Sequence, residues 1–188
     1  MSSMSPLESA GVLFGLASVI LTVRQSIWCW PTGLVNVTLF FAMFLGAKLY
    51  AAMALQVVFF VLSVYGWYRW LHPAPGQREL PVSRLSPVEG AALLVGGGLV
   101  IAGVGTCLSR RTDAVLPYWD TASTVMSVAA QWLLARKVLE NWLVWIVADL
   151  VMIGVYYKQR LLLTSALYVV FTGLSAAGYL EWRKAAKA

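Results

Sequence analysis

The sequence has little charge and very few of the side chains that ligate metals. Of its 188 residues, 12% are charged, one is histidine and two are cysteine, whereas about a quarter of the residues in a soluble domain are charged. The low charge excludes an ordinary soluble protein. His72 has no second soft ligand near it in the sequence, so we predict no metal site and no cofactor. No Gly-x-x-x-x-Gly-Lys loop occurs either, which leaves ATP-driven pumping without support.

Long apolar runs fill most of the chain. Hydrophobic residues make up 60% of the sequence, and the mean hydropathy is +0.76. Runs of about 20 apolar residues can cross a bilayer as helices, so we predict an all-α membrane protein. The first run follows MSSMSPLE, which has no basic segment, so no cleavable signal peptide is expected. The predicted spans are roughly residues 8–23, 28–46, 49–70, 88–107, 117–135, 138–157 and 161–181.

The basic residues stand between the apolar runs and give the spans a direction. The net charge is +6, but this scattered pattern is typical of membrane edges and does not indicate nucleic-acid binding. Seven spans place the two termini on opposite sides of the membrane. Nine of the 14 Lys and Arg residues fall on the side of the C-terminus. The positive-inside rule therefore predicts a cytoplasmic C-terminus and an external N-terminus.

The two halves of the sequence resemble each other at a separation of 112 residues. The stretch KLYAAMALQVVFFVLSVYGWYRW (48–70) aligns with RLLLTSALYVVFTGLSAAGYLEW (160–182). A one-residue change in the separation brings Asn36 opposite Asp149. The pairs that chance apolar similarity explains least well are Gly66/Gly178, Trp70/Trp182 and Trp30/Trp142.

We interpret the halves as two copies of a three-helix unit. Residues 1–71 form the first unit, residues 72–110 the linker and connecting helix, and residues 111–188 the second unit. A single connecting span returns the chain so that both units have the same orientation. Parallel repeats of this kind are typical of transporters that bind substrate near the membrane midplane, between the halves.

Polar side chains follow one face of several predicted spans. Asn141, Trp145 and Asp149 are spaced i, i+4, i+8 and so share one face of span 6. The simpler interpretation of polar residues in spans is that they bond to their own backbone or hold helices together. Tryptophans at span ends, namely Trp70, Trp119 and Trp182, are interpreted as anchors at the membrane interface.

The simpler interpretation does not explain Asp149. An ionised carboxylate at the bilayer centre costs at least about 2.5–3.5 kcal/mol, and no Lys or Arg lies at matching depth in any predicted span. A cationic ligand, water, a donor such as Asn36, or protonation must compensate the charge. Aromatic faces beside a carboxylate suit a flat cationic ligand. A ligand-binding Asp149 and a protonated structural Asp149 both stay open.

Two other functional classes fit the seven spans less well. A retinal protein needs a buried lysine, and the last span has none between Arg160 and Lys184. An intramembrane enzyme needs a nucleophile–base pair or a metal cluster, and the spans contain no histidine. We therefore predict a transporter and not a receptor or an enzyme.

Several stretches together resemble the PnuC family of bacterial vitamin transporters. They are GLVNVTLF (33–40), the stretch 48–70, PYWDTASTVMSVAAQWLLARKVLENWLVWI (117–146) and the closing YLEW (179–182). The succession of YGWYRW, WD and ENWLVW makes the resemblance specific. Members of this family carry nicotinamide riboside and, in related branches, thiamine or other B vitamins.

The resemblance implies a fold, a mechanism and a site. It implies a 3+1+3 arrangement like that of SWEET sugar transporters, in the bacterial inner membrane, and it suggests a homotrimer. It also implies facilitated diffusion, with the vitamin trapped in the cytoplasm by a separate kinase. The family's binding positions map onto Asn141, Trp145, Gln56, Trp30, Thr124 and Gln131.

The polar faces add three residues to this candidate site, namely Asp149, Asn36 and Tyr168. Some nicotinamide riboside carriers have asparagine where this chain has Asp149. Nicotinamide riboside is the leading substrate, and this departure from the pattern keeps thiamine as the alternative. Alternating access is expected to come from rocking of the two units about the site.

Overall fold

The chain folds into seven α-helices over the residues that the structure describes. The computed structural model describes residues 6–112, 116–158, 160 and 162–187. Each helix begins and ends within a few residues of a predicted span, so the all-helical, seven-helix prediction is confirmed. The helices are α1 (Pro6–Val23), α2 (Cys29–Gly46), α3 (Tyr50–Leu71), α4 (Pro87–Arg111), α5 (Pro117–Ala135), α6 (Asn141–Lys158) and α7 (Leu162–Ala185).

Four short turns between helices contain a non-glycine residue with a left-handed backbone. Gln25 (φ 56°) lies between α1 and α2, and Lys48 (φ 58°) lies between α2 and α3. Lys137 (φ 57°) and Arg160 (φ 62°) occupy the positions 112 residues further along, on either side of α6. This conformation costs an L-residue about 1–2 kcal/mol. The turns at matching positions therefore share an unusual geometry.

Six of the helices form a closed circuit of contacts. Within each half the contacts run in chain order, from α1 through α2 to α3 and from α5 through α6 to α7. Contacts of α3 with α5 and of α1 with α7 join the two halves. Among the described residues, α4 packs against α5 alone and so lies outside the circuit. The helices with polar faces all belong to this six-helix circuit.

Four tryptophans join the two halves near the ends of α3 and α7. Trp30 meets Trp70 edge-on, with ring centroids 5.4 Å apart, and Trp142 meets Trp182 in the same way at 5.5 Å. Trp70 and Trp182 touch each other at 6.0 Å. The interpretation of Trp70 and Trp182 as interface anchors is wrong, because both are buried in this cluster. Trp119 is 54% exposed.

Two glycines make room for this tryptophan cluster. A Cβ at Gly66 would overlap the Trp30 ring, and one at Gly178 would overlap the Trp142 ring. The indoles therefore pack directly on the helix backbones of α3 and α7. The glycine and tryptophan pairs seen in the sequence have a common physical reason, since each ring needs a bare backbone opposite it.

The loop between α3 and α4 is docked onto the second half. We call its residues 80–85 the strap. Ser83 donates its N–H to the carbonyl of Lys137 (3.0 Å) and accepts from the N–H of Leu139 (2.9 Å). The strap therefore forms a short parallel bridge with the α5–α6 turn. The segment predicted as part of the linker is thus attached to the α5–α6 turn.

Side chains reinforce the strap at its C-terminal end and just beyond it, in the first turn of α4. The Glu140 carboxylate accepts from the N–H of Leu85 at 2.7 Å and pairs with Arg84 at 3.4 Å. At the start of α4, Glu89 forms an ion pair with Arg136. The α5–α6 turn thus holds the chain that arrives from the first half.

The helix surfaces are strongly apolar. Helices α1 to α4 are each long and apolar enough to cross a membrane. Leu94, Val95 and Leu99 of α4 are all more than half exposed, as expected of side chains that face lipid.

Candidate functional site

The face of α6 that the spacing predicts is turned into the protein. Asn141 is fully buried at the first position of α6, and Asp149 is 5% exposed near the middle of the helix. Trp145 lies between them and is half-buried. The i, i+4, i+8 spacing thus correctly indicates an inward face.

Asn141 uses only part of its hydrogen-bonding capacity. Its Nδ2 donates to the carbonyl of Val138 at 2.6 Å, which fixes the amide at the start of α6. Its Oδ1 is buried and accepts no hydrogen bond from the described part of the chain. A buried acceptor without a donor is rare in proteins. The oxygen can therefore receive an N–H or O–H from a bound molecule.

Asp149 is buried without a cationic partner among the described residues. None of the ion pairs and side-chain hydrogen bonds found there includes it. The carboxylate interacts electrostatically with Tyr168 of α7. An uncompensated carboxylate in a membrane helix is costly. Its position therefore favours a positively charged or proton-donating group beside it.

Tyr168 links Asp149 to a further tyrosine and, through it, to a second carboxylate. Tyr156 and Tyr168 pack with ring centroids 5.4 Å apart, and Tyr168 meets Phe171 edge-on at 6.1 Å. Asp120, in the first turn of α5, interacts electrostatically with Tyr156. We call Asp120, Asp149, Tyr156 and Tyr168 the acidic–aromatic cluster. It draws on all three helices of the second half.

Tyr156 was absent from the predicted site. It lies seven residues after Asp149 and so shares its helical face. That spacing was the signal in the sequence that could have found it. Tyr156 lies near the end of α6, where a tyrosine also fits a membrane interface, so spacing and composition favoured different roles.

A second polar contact crosses between the halves. Gln131 of α5 donates from Nε2 to the Ser63 hydroxyl of α3 at 3.3 Å. Ser63 is buried and Gln131 is half-buried. Gln56 is half-buried on the same helix as Ser63, and Thr124 is exposed on α5. Polar side chains of α3 and α5 therefore meet at one point, where Gln131 contacts Ser63.

The structure places Asn36 away from Asp149. Its Nδ2 donates to the carbonyl of Gly11 on α1 at 2.7 Å, and α2 makes no helix contact with α6 among the described residues, so Asn36 is not the donor expected for Asp149. The pairing of the two residues by a one-residue shift is also wrong. Helices α2 and α6 both contain 18 residues and start 112 residues apart, which sets Val37 opposite Asp149.

Trp30 belongs to the tryptophan cluster in this structure. Its ring is 2% exposed and packs against Gly66 and Trp70. It therefore has no free face for stacking on a ligand. The burial is explained by core packing, and the prediction of Trp30 as a stacking residue has no support in this conformation.

The assembled chemistry is that of binding. No group of three or more His, Cys, Asp or Glu side chains that could hold a metal ion occurs within the described residues. His72 stacks on Tyr68 in the loop, away from the acidic–aromatic cluster. Carboxylates, aromatic rings and a free amide oxygen can recognise a cationic, hydrogen-bonding aromatic molecule.

Comparison with known proteins identifies the family. The protein-family model described as "Nicotinamide mononucleotide transporter" matches residues 5–184. The chain belongs to this family. It is a multi-pass bacterial membrane protein and a transporter, not an enzyme.

Relatives in the family carry different names. The nicotinamide riboside transporter PnuC of Escherichia coli is 28% identical, with 98% of this chain and 87% of the relative covered. The riboflavin/roseoflavin transporter RibM of Streptomyces davaonensis is 24% identical, with 93% and 83% covered. The crystal structure of the vitamin B3 transporter PnuC matches with a TM-score of 0.74 at 24% identity, covering 96% of this chain and 82% of that one. The structural match shows the fold.

Proposed function

We propose that this transporter carries nicotinamide riboside, a cationic aromatic precursor of vitamin B3. The observation that carries the proposal is the buried carboxylate of Asp149, which has no cationic partner in the described protein. A pyridinium ring supplies the missing charge. The name of the Escherichia coli relative supports the same substrate.

In this proposal, different site residues contact different parts of the substrate. The pyridinium ring stacks on Trp145, with Asp149 offsetting its charge and Tyr168 beside both. Asn141 accepts a hydrogen bond from the carboxamide or a ribose hydroxyl through its free Oδ1. Gln56, Gln131 and Thr124 complete the polar contacts from α3 and α5. Asn36 and Trp30 shape the surrounding helices without touching the substrate.

The charge of the site also separates the candidate substrates. Riboflavin, named for the Streptomyces davaonensis relative, has a neutral ring system, and a buried carboxylate gives it no advantage. Thiamine is cationic and aromatic, so it remains the second candidate. Thiamine and nicotinamide riboside would present different hydrogen-bond donors to the Oδ1 of Asn141.

The architecture we propose is a 3+1+3 parallel repeat like that of SWEET transporters, with seven membrane spans. The units are residues 1–71 and 111–188, with residues 72–110 as connector. The matched left-handed residues, the paired Gly–Trp contacts and the symmetric order of helix contacts support it. Rocking of the units would give alternating access by facilitated diffusion.

The cellular setting is part of the proposal. The protein lies in the inner membrane with its N-terminus outside and its C-terminus in the cytoplasm, as the distribution of basic residues indicates. It assembles as a homotrimer. A separate cytoplasmic kinase traps the imported vitamin and acts without needing to bind the transporter.

Competitive binding to the purified protein tests the substrate. Labelled nicotinamide riboside is displaced with unlabelled nicotinamide riboside, thiamine or riboflavin, and we expect the first to compete best. Trp145→Ala and Asn141→Ala should each weaken binding, since they remove the stacking surface and the acceptor. Unchanged affinity in both variants would refute the site, and stronger competition by thiamine would reassign the substrate.

A further inference from the structure

A cavity lies at the opposite end of the molecule from the loop joining α6 and α7. It has a volume of about 750 Å³ and is enclosed by the α1–α2 turn, the end of α3, the loop that follows it and the α5–α6 turn. Arg24, Arg78 and Lys137 line it from three separate elements. Glu79 is the one carboxylate among its lining residues. The cavity therefore holds an excess of positive charge.

None of the three basic side chains forms an ion pair in the described part of the protein. The ion pairs found there involve Arg84, Arg136 and Lys184 and none of the three cations of the cavity. Arg24 and Arg78 are exposed at the mouth of the cavity. Their guanidinium groups are free to meet a ligand, and a guanidinium matches the oxygens of a phosphate geometrically.

Lys137 differs from the other two basic residues because it is buried. It is 3% exposed, and its Nζ lies 4.8 Å from the centroid of the Trp70 ring. Burial lowers the pKa of its ammonium group, and the nearby Glu79 opposes that shift. Attraction to one aromatic face is smaller than the cost of removing an ammonium group from water. The strap holds the Lys137 backbone in place through Ser83.

We propose that this cavity binds a phosphate-bearing anion, with Lys137 at its base and Arg24 and Arg78 at its mouth. The cavity is large enough for a molecule of nucleotide size. It also lies where the helices end, and in the membrane arrangement proposed above this end is at the level of the lipid headgroups. The phosphate can therefore belong to a soluble phosphomonoester or to an anionic lipid. The site is separate from the acidic–aromatic cluster.

Binding measurements on the purified full-length chain test the proposal. Adenosine monophosphate is titrated against protein in neutral detergent, with adenosine as the uncharged control. In parallel, thermal stability is compared in nanodiscs of phosphatidylcholine with and without phosphatidylglycerol. Binding of adenosine monophosphate would assign a soluble ligand. Stabilisation by phosphatidylglycerol alone would assign a lipid headgroup.

Matched variants locate the anion. Lys137→Met should weaken binding about tenfold or more, because it removes a buried charged donor, and Lys137→Arg should retain most of it. Lys48→Met is the control, because Lys48 has the same backbone conformation (φ 58° against 57°) outside the cavity. Glu79→Gln should strengthen binding by removing the opposing charge. The proposal fails if neither phosphate source binds, or if Lys137→Met and Glu79→Gln bind like the unmodified protein.

Discussion

At the scale of single residues, our proposal is that the charge of Asp149 determines what the site can hold. The carboxylate lies on the inward face of α6 beside Tyr168. Because no described Lys or Arg pairs with it, a bound cation gains an attraction that a neutral molecule of the same shape lacks. The residue therefore acts on selectivity as well as on affinity.

Replacing Asp149 with the nearly isosteric asparagine separates charge from shape. Asp149→Asn should weaken the binding of nicotinamide riboside about tenfold or more, a loss typical of a charged partner. The neutral reduced form, dihydronicotinamide riboside, should bind the variant and the original protein alike. Isothermal titration calorimetry measures both. Asp120→Asn is the control, with a smaller effect expected because Asp120 lies in the first turn of α5. An equal loss for both forms of the ligand would contradict the electrostatic role.

At the scale of helices, the packing of indoles on glycines joins each middle helix to the end of its neighbour. Trp30 of α2 lies on Gly66 of α3, and Trp142 of α6 lies on Gly178 of α7. The contacts leave no space for a methyl group. The tryptophan cluster is therefore sensitive to the smallest possible enlargement.

Gly66→Ala and Gly178→Ala should each destabilise the protein. Overpacking of this kind typically costs about 1–3 kcal/mol, and thermal unfolding in detergent should show a lower midpoint for both variants. Gly98→Ala in α4 and Gly173→Ala in α7 are the matched controls, because a Cβ at either position meets nothing within 4 Å. Equal midpoints for all four variants would show that the cluster relaxes freely.

The strap gives a second prediction at this scale. Glu140→Ala leaves the N–H of Leu85 without its acceptor and Arg84 without its partner, so we expect a loss of about 1–3 kcal/mol. Glu181→Ala removes an exposed pair with Lys184, and exposed pairs contribute about 0–1 kcal/mol. Thermal unfolding compares the two variants. A larger effect at Glu181 than at Glu140 would argue against a fixed strap.

Hydrophobic runs and helical spacing predicted the elements well and the contacts between them poorly. Runs of apolar residues located all seven helices, and the spacing of Asn141, Trp145 and Asp149 identified the inward face. The partner of Asn36 could not be found in this way, because it depends on how α2 is rotated against α1. Docking of the strap could not be predicted either, because its main contacts are backbone hydrogen bonds, which do not depend on the identity of the side chains.

At the scale of the whole molecule, the pattern of contacts between helices relates the two halves. Exchange of α1 with α5 and of α3 with α7 converts the α3–α5 contact into the α7–α1 contact. Such an arrangement suits a transporter whose two halves move against each other. The basic cavity and the tryptophan cluster share one end of the molecule, and the acidic–aromatic cluster extends toward the other.

The orientation that we propose in the membrane follows from the distribution of basic residues along the chain. A reporter fused after Ala188 should be active in the cytoplasm, and one fused before Met1 should be active outside, since nine of the 14 basic residues lie on the C-terminal side. Paired fluorescent and alkaline phosphatase fusions distinguish the two sides. Phosphatase activity at the C-terminus would invert the topology and place the basic cavity outside the cell.

Exchange transport in proteoliposomes tests the central claim most directly. Vesicles holding purified protein are loaded with unlabelled nicotinamide riboside and placed in labelled nicotinamide riboside without an ion gradient or ATP. If the protein is a facilitator with a site at Asp149 and Trp145, we expect rapid uptake of label by the unmodified protein. Uptake should be abolished in Trp145→Ala and strongly slowed in Asp149→Asn. Uptake at the original rate in both variants, or no exchange by the unmodified protein, would contradict it.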